Sequence, residues 1–305
     1  MLLAVLALVA CSVSKEDEDA ADVETSDFLA DGLVSEITTE SCTLSGGTTT
    51  TCYRIEVYAL PTEHDIGPFC PRSIDDGADV AGIWVEDGEV WDVDGAFIEE
   101  LATFYDDDNW QLYDEATGDV NVTDSQEACE AAARPDVDPD YQNYCVECDI
   151  AYLDDTVTTY LIPVTPFALT TADEIDRMGV VGLSLNGVDF DPPAPVEAIL
   201  ENYTIAAFDD CGGHVNLAAG YHYHAANGCQ TEIAQDDGHA PRIGYAMDGY
   251  GMYGMLDTTG AEETDLDECR GHSDDTRGYH YHVAGAGENS FIGCFHGEQG
   301  ERVTG

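Results

Sequence analysis

Apolar residues occur in short runs along this chain, and glycine, asparagine, aspartate or threonine separates one run from the next. The runs that have the length and the β-branched or aromatic content of strands lie at residues 41–60, 83–85, 90–92, 160–164 and 180–190. Gly46-Gly47 and Asn186-Gly187 are turn signals typical of tight hairpins. Helical spacing is confined to residues 96–105, 125–133 and 195–203. The pattern predicts a β-rich fold, mainly antiparallel, with a few short helices.

The beginning of the chain has a pattern of its own. Residues 1–10 are apolar but too few to span a bilayer, and Leu8-Val9-Ala10-Cys11 has the form of a bacterial lipobox. We therefore expect a lipoprotein signal peptide over residues 1–11, with the lipid attached at Cys11. The basic residues that usually precede such an apolar run are missing. Ser12, in place of an aspartate, resembles the bacterial sorting signal for the outer membrane, so we expect an exported protein anchored in the envelope on its periplasmic or surface face.

The remainder of the chain divides by composition into three parts. Polar and acidic residues fill residues 12–38, which predicts a disordered tether. We expect an acidic, β-rich N-terminal region over residues 39–155 and a second unit over residues 156–305. The boundary between the last two is weakly marked in the sequence.

Charge narrows the choice of partners. The 305 residues include 63 acidic and 9 basic ones, which gives a formal net charge of −54. Such a surface repels nucleic acid and anionic lipid, so we expect no nucleic acid partner and a membrane contact only through the lipid at Cys11. A solubilising acidic coat is one interpretation, and calcium bound on the acidic surface is the alternative. Residues 136–147 have the acidic spacing of an EF-hand loop, but Tyr141 stands where that loop needs glycine.

The cysteines indicate an oxidising compartment. Eleven are present, and ten remain after Cys11. An even number in an exported chain predicts disulfide bonds. Closure of a hairpin and of two loops predicts the pairs Cys42–Cys52, Cys211–Cys229 and Cys269–Cys294. The other four, which allow three connectivities, are Cys70, Cys129, Cys145 and Cys148.

One motif occurs twice. Gly220-Tyr221-His222-Tyr223-His224 returns 58 residues later as Gly278-Tyr279-His280-Tyr281-His282, and a Cys-x-Gly-His stands at the same distance ahead of each. The two copies span residues 209–229 and 267–294. Because an internal repeat is one structural unit used twice, we predict a two-fold repeat that disulfides staple on each side.

The histidines of the repeat have the spacing of metal ligands. Alternate side chains of a strand share one face about 7 Å apart, so the two histidines of Tyr-His-Tyr-His point one way and the two tyrosines the other. A turn brings the upstream histidine back beside them. The predicted ligands are His214, His222 and His224 in the first copy and His272, His280 and His282 in the second. Three neutral imidazoles suit zinc, copper, nickel or iron, and of these transition metals we favour copper or zinc.

Polar residues around the repeat are further candidates. Those predicted to accept imidazole N–H groups are Asp209, Asp210, Asp267 and Glu268. The additional candidates are His239, Asp248 and His296. The spacing allows two separate sites or one shared site. The alternative interpretation is a buried network of hydrogen-bonded histidine and tyrosine without a metal.

These segments resemble the YHYH domain family of exported proteins, which is named for the motif. The resemblance covers residues 180–297 and includes His239-Ala240-Pro241 and residues 243–250, while His64-Asp65-Ile66-Gly67 resembles an earlier element. It implies a YHYH domain over residues 156–305, a site at the repeat and an exported location. The resemblance implies no established reaction.

Three functions are compatible with these observations. The first is transition-metal binding by a lipid-anchored envelope protein. The second is a metal-dependent hydrolase or oxidase, with Asp209 or Asp248 as base and Arg242 or Arg277 as an anion clamp. The chain has no G-x-S-x-G, H-E-x-x-H or phosphate-loop motif, so we favour a binding protein over an enzyme. The third is a structural or adhesion module whose histidines and tyrosines build only the core.

Overall fold

The computed structural model describes residues 15–17, 20–134, 136–153, 157–217 and 219–303. The predicted signal peptide and its lipidation site, Cys11, lie outside the described residues. Within these ranges, no helix is both long enough and apolar enough to cross a membrane.

The described residues form short strands and three α-helices. In chain order the strands are β1 (Lys15–Glu16), β2 (Thr38–Thr43), β3 (Thr49–Val57), β4 (Ile83–Glu86), β5 (Glu89–Asp92), β6 (Cys145–Val146), β7 (Thr158–Pro163), β8 (Phe167–Asp173), β9 (Gly182–Ser184), β10 (Asp189–Phe190), β11 (Ile205–Ala206), β12 (Gly213–Asn216), β13 (Gly220–Tyr223), β14 (Arg242–Ala246), β15 (Gly251–Tyr253), β16 (Gly271–Asp274), β17 (Gly278–His282), β18 (Phe295–Gly297) and β19 (Glu301–Val303). The helices are α1 (Gly95–Phe104), α2 (Gln126–Ala132) and α3 (Val196–Leu200). The prediction of a β-rich, mainly antiparallel fold with a few short helices is confirmed.

The largest sheet has eight strands in the order β12-β13-β10-β9-β14-β15-β17-β16. Its two halves correspond strand by strand when each is read outward from the centre. β9 and β14 pair antiparallel at the centre, where Leu183 lies opposite Tyr245. Each continues through a tight turn into β10 or β15, which pairs in parallel with a Tyr-His-Tyr-His strand, β13 or β17. The histidine-rich hairpins therefore occupy opposite edges of one sheet.

The two edge hairpins have the same register. His214 lies opposite His222 in the hairpin of β12 and β13, and His272 lies opposite His280 in the hairpin of β16 and β17. Because side chains alternate along a strand, the tyrosines and the histidines lie on opposite faces. The tyrosines face the main hydrophobic core, and they are Tyr221, Tyr223, Tyr279 and Tyr281.

A second sheet connects the two predicted regions. Its order is β19-β7-β3-β2, and β3 pairs antiparallel with β7 from Cys52 opposite Pro163 to Val57 opposite Thr158. Backbone hydrogen bonds therefore cross the predicted boundary at residues 155 and 156. The division into domains at that point stays a prediction.

The segment predicted as a disordered tether is folded over residues 20–38. Val23 and Phe28 are 3% and 6% exposed and belong to the main core. Phe28 stacks on Tyr245, with ring centroids 5.9 Å apart. These apolar side chains bury their surface against the sheet, and this stabilises the segment despite its acidic composition. The structure thus corrects the tether prediction for these residues.

Five disulfides link described cysteines. The three predicted pairs are present, and the other four cysteines form Cys70–Cys145 and Cys129–Cys148. The bonds beside the histidine hairpins join cysteines 18 and 25 residues apart. Closing a loop of this size stabilises a fold by about 3 kcal/mol. Each of these bonds holds the start of a histidine hairpin in place.

Candidate metal centres

The four-histidine cluster consists of His239, His272, His280 and His282, with one ring nitrogen from each lying within 4.8 Å of the others. The hairpin of β16 and β17 supplies three of them, and His239 comes from the loop before β14. Nε2 of His280 lies 3.0 Å from Nε2 of His239 and 3.0 Å from Nε2 of His272. The structure thus brings the three predicted ligands together and adds His239, one of the additional candidates, as the fourth.

The Nδ1 contacts of these rings define their protonation. The acceptors, at 2.9–3.0 Å, are the backbone oxygens of Gly278 for His280, of Gly254 for His282 and of Ala240 for His239, and a carboxylate oxygen of Asp265 for His272. A carbonyl or carboxylate oxygen can only accept, so Nδ1 of each ring donates its hydrogen. Each Nε2 therefore presents a lone pair towards the other three.

Converging lone pairs repel one another unless a cation or a shared proton lies between them. Burial, as the largest cause, lowers the pKa of His280 to about 3 and the pKa of His282 to about 4, so both rings are neutral at pH 7. Nε2 of His282 is also buried without a hydrogen-bond partner among the described residues. A tetrahedral metal with bonds of about 2.0–2.1 Å holds its ligand nitrogens about 3.3–3.4 Å apart, and the two 3.0 Å distances at His280 are close to this spacing.

The three-histidine cluster consists of His214, His222 and His224 at the other edge of the sheet. Nε2 of His222 lies 3.1 Å from Nε2 of His224. Nδ1 of His222 donates to the backbone oxygen of Gly220 at 3.0 Å, and Nδ1 of His224 donates to that of Pro192 at 2.7 Å. Nε2 of His214 is buried and has no partner in the described part of the chain. All three predicted ligands of the first repeat therefore meet.

Burial also keeps the three-histidine cluster neutral. It lowers the pKa of His214 and of His224 well below the usual range, and the neighbouring imidazoles lower both further. Burial lowers the pKa of His222 as well, although Asp189 opposes this effect. Neutral imidazoles are the form that binds metals.

Asp191 lies beside the three-histidine cluster and was missed by the sequence analysis. Its Oδ2 is 3.8 Å from Nε2 of His222, and its Oδ1 is buried without a partner among the described residues. Burial first, and then the charge of Asp189, raise the pKa of Asp191 far above its ordinary value. Asp191 directly follows β10, which lies beside β13 through a parallel pairing that no local pattern indicates.

A cavity of about 260 Å³ opens at the three-histidine cluster. All three histidines and Asp191 line it, together with apolar residues such as Ile199. No member of the four-histidine cluster lines this cavity. The two clusters therefore differ in access, since one faces a space that can hold a ligand.

The carboxylates predicted to accept imidazole N–H groups have another role. Asp209 accepts the hydroxyl hydrogen of Tyr221 at 2.8 Å, and Asp267 accepts that of Tyr279 at 2.9 Å. The second carboxylate oxygen of each accepts the backbone N–H groups at the start of its hairpin. Their role in binding imidazole is therefore corrected, because they lie on the tyrosine face. In the described clusters, backbone oxygens accept most of the imidazole Nδ1–H groups. The exception is His272, whose Nδ1 lies 2.9 Å from a carboxylate oxygen of Asp265.

The remaining candidates do not join either cluster. Asp248 accepts hydrogen bonds from the Tyr281 hydroxyl at 2.6 Å and from the backbone N–H of Gly297 at 3.0 Å. His296 stacks on Tyr279, with ring centroids 3.7 Å apart. Both therefore lie on the tyrosine face. Asp210 and Glu268 belong to none of the groups of potential ligands found among the described residues.

The arginines predicted as anion clamps are already paired. Arg242 binds Asp27, and Arg277 binds Asp237 at 2.7 Å as well as Asp274. Neither arginine lines the cavity. Neither of the two predicted clamps is therefore placed to bind an anion beside the three-histidine cluster.

The EF-hand-like segment has no calcium-loop geometry. Glu147 at its end pairs with Arg72 and accepts the backbone N–H of Cys70 at 3.0 Å. The potential ligand groups of the described residues include no acid from residues 136–147, and the third such group is Glu263, Asp265 and His272. Calcium on the acidic surface stays a prediction.

Comparison with known proteins gives one match. The family model described as YHYH protein matches residues 159–265, which confirms the predicted resemblance. The matched segment contains the three-histidine cluster and His239, and it ends before the second copy of the repeat. Neither the curated proteins nor the solved structures contain a match to this chain.

Proposed function

We propose that this chain, whose residues 159–265 match the family model described as YHYH protein, binds two transition-metal ions, one at each histidine cluster. The observation that carries this proposal is the convergence of ring nitrogens without hydrogens between them. In six of the seven histidines, Nδ1 donates its hydrogen to an oxygen acceptor. In a neutral imidazole, Nε2 then carries no hydrogen and presents a lone pair. Burial disfavours the protonated rings that would otherwise relieve the repulsion.

Copper or zinc suits these sites, because imidazole is the only ligand type that both clusters supply. Four histidines saturate a tetrahedral ion, as in structural sites. Three histidines leave a position open, as in sites where a ligand exchanges or reacts. The four-histidine cluster thus serves the fold, and the three-histidine cluster serves acquisition, buffering or a redox step.

The proposed location is the bacterial envelope, with the lipid anchor at Cys11. Five disulfides among the described residues support an oxidising compartment. Metal capture outside the cytoplasm is consistent with sites whose ligands are all histidine, since cysteine ligands would be oxidised there.

Elemental analysis of the full chain, purified from an oxidising compartment without chelator or histidine tag, tests the proposal. We expect about two equivalents of copper or zinc, and about one in each of the double variants H222A/H224A and H280A/H282A. The variant H296A removes a histidine outside both clusters and should keep the full content. A folded wild type without transition metal, or double variants with unchanged content, would refute metal binding.

A metal-dependent hydrolase or oxidase is the second candidate, and the cavity at the three-histidine cluster favours it. The predicted bases Asp209 and Asp248 lie on the other face, whereas Asp191 is 3.8 Å from Nε2 of His222. A carboxylate at this distance can hold or move a proton within the cavity. An activity that D191N abolishes while metal content stays unchanged would support catalysis, and a blank screen of esters, phosphates and phenols with metal-loaded protein would count against it.

A further inference from the structure

Positive charge is concentrated at one cavity of an otherwise acidic molecule. The chain has nine basic residues, of which Lys15 is the only lysine, and the other eight are arginines. Three of those eight line the cavity beside the three-histidine cluster, and they are Arg134, Arg177 and Arg302. In a protein of formal net charge −54, three arginines make this cavity wall less acidic than the rest of the surface, although Glu147 and Asp191 line it as well.

One of the three arginines is available to a ligand. Arg302 lies 3.2 Å from the buried carboxylate of Asp189, and Arg134 donates to the backbone oxygen of Asp136 at 2.9 Å. Arg177 is exposed and forms no ion pair with any residue that the structure describes. Its charge therefore has no counterpart within the described protein.

The carboxylates of the cavity do not neutralise Arg177. Glu147 is engaged by Arg72, which lies outside the lining of this cavity, and Asp191 faces His222. An unpaired guanidinium at the wall of an apolar cavity is a typical partner for a carboxylate or phosphate group, which it binds through two parallel hydrogen bonds.

The symmetry of the sheet gives Arg177 a counterpart in the other half. β9 and β14 pair symmetrically, with Gly182 opposite Ala246, Leu183 opposite Tyr245 and Ser184 opposite Gly244. Arg177 precedes Gly182 by five residues, and His239 precedes Gly244 by the same five. Where one half of the molecule places a fourth histidine, the other half places an arginine. The segment that supplies the fourth ligand of one cluster thus corresponds to a segment that supplies an arginine to the cavity wall beside the other.

We propose that this cavity binds a small organic anion, with its carboxylate or phosphate group on Arg177 and its apolar part against the inner wall. The presence of a metal ion next to this anion rests on the function proposed above for the three-histidine cluster. The volume of about 260 Å³ is slightly below the range of about 300–1,000 Å³ that accommodates drug-sized ligands, so the anion is small. The lining accounts for the apolar part of the ligand, since alanines, prolines and valines, together with Phe69, Met178 and Ile199, form the larger part of the wall.

Calorimetric titration of the metal-replete full chain with benzoate and phenyl phosphate tests the proposal. The neutral benzamide has the same ring and nearly the same shape as benzoate. We expect both anions to bind and benzamide to bind at least about tenfold more weakly, because the charge-assisted hydrogen bonds are lost. R177Q should weaken both anions by about tenfold or more without changing the metal content. R270Q, which removes an arginine paired with Glu262 outside the cavity, should leave the affinities unchanged.

The outcomes separate this inference from the proposed function. Metal in both clusters, combined with equal affinities for benzoate and benzamide or no effect of R177Q, would overturn the anion site and leave metal binding intact. Anion binding that depends on Arg177 in a protein that takes up no transition metal would support the anion site, while the missing metal uptake would refute metal binding. If R177Q did not fold, the comparison of benzoate with benzamide on metal-free wild type would still decide, because no metal could then attract the carboxylate.

Discussion

The two histidine clusters are built on the same hairpin but form different sites. In both, a tyrosine hydroxyl binds an aspartate at the hairpin start, at 2.8 Å in one and 2.9 Å in the other. In both, the first histidine of the motif donates to the glycine oxygen two residues earlier, at 3.0 Å and 2.9 Å. The difference lies in the segment that leads into the central strand, which supplies His239 on one side and Arg177 on the other. The hairpin therefore sets the ligand geometry, and the flanking segment determines whether the site is closed.

The largest effect is expected when the fourth ligand, His239, is removed from the four-histidine cluster. In H239A we expect the metal affinity of the four-histidine cluster to fall more than about 100-fold, beyond the loss usual for an outer-shell partner, because a ligand is removed. A metal ion on the remaining three histidines should then have an open position and bind an added ligand. Competition with a chelator measures the affinity, and the absorption spectrum of Co²⁺-loaded protein with and without azide measures the new position.

The variant H296A is the control, since His296 stacks on Tyr279 outside the cluster. An H239A protein with wild-type affinity and no azide response would mean that His239 is not a ligand. In that case the two clusters would be equivalent, and the difference in access would depend on the cavity alone.

The parts of these sites that could be predicted depend on residues close together in the sequence, and the parts that could not depend on residues far apart in the sequence. His222 and His224 share a face because of strand alternation, and His214 joins them through one turn, so local spacing was sufficient. Asp191 and Arg177 come to the cavity through the pairing of β10 with β13 and of β9 with β14. No residue pattern within either strand specifies those neighbours.

The same limit applies to the fold. The three helices and several strands, among them β3, β7 and β9, were predicted from local patterns, whereas β8 and β19 were not. The burial of Phe28 depends on Tyr245, more than two hundred residues later. An acidic segment was therefore predicted to be disordered, because its composition shows its charge and not the partner that covers its few apolar residues.

A second test uses the tyrosine face of the sheet, where an aspartate in one half corresponds to an asparagine in the other. Tyr281 binds Asp248 at 2.6 Å, and the corresponding Tyr223 binds Asn186 at 3.0 Å. Burial raises the pKa of Asp248 to about 6, above the 3.8 of a free aspartate. The folded state therefore favours the protonated carboxyl, so this contribution to stability is complete below about pH 4 and is lost as the pH rises through about 6.

In D248N we expect the free energy of unfolding at pH 7 to increase by about 3 kcal/mol, since burial raises the pKa from 3.8 to about 6 and each unit of pKa shift corresponds to about 1.4 kcal/mol. Urea unfolding at pH 4, 5, 6 and 7 measures it, and the gain should shrink as the pH falls. The matched variant N186D should destabilise the other half at pH 7. A gain for D248N that is the same at every pH would contradict the role of the buried charge.

The smallest expected effect concerns the one imidazole in the two described clusters that donates to a side chain. Nδ1 of His272 lies 2.9 Å from Oδ1 of Asp265, whose side chain is 70% exposed. Solvent screens this carboxylate, so its loss should cost no more than about tenfold in metal affinity, the lower end for outer-shell partners. Chelator competition on D265N should show the loss at the four-histidine cluster only, because the three-histidine cluster uses backbone acceptors for His222 and His224. A loss as large as in H239A would contradict this screening and would mean that the closed cluster owes a large part of its affinity to the carboxylate that orients His272.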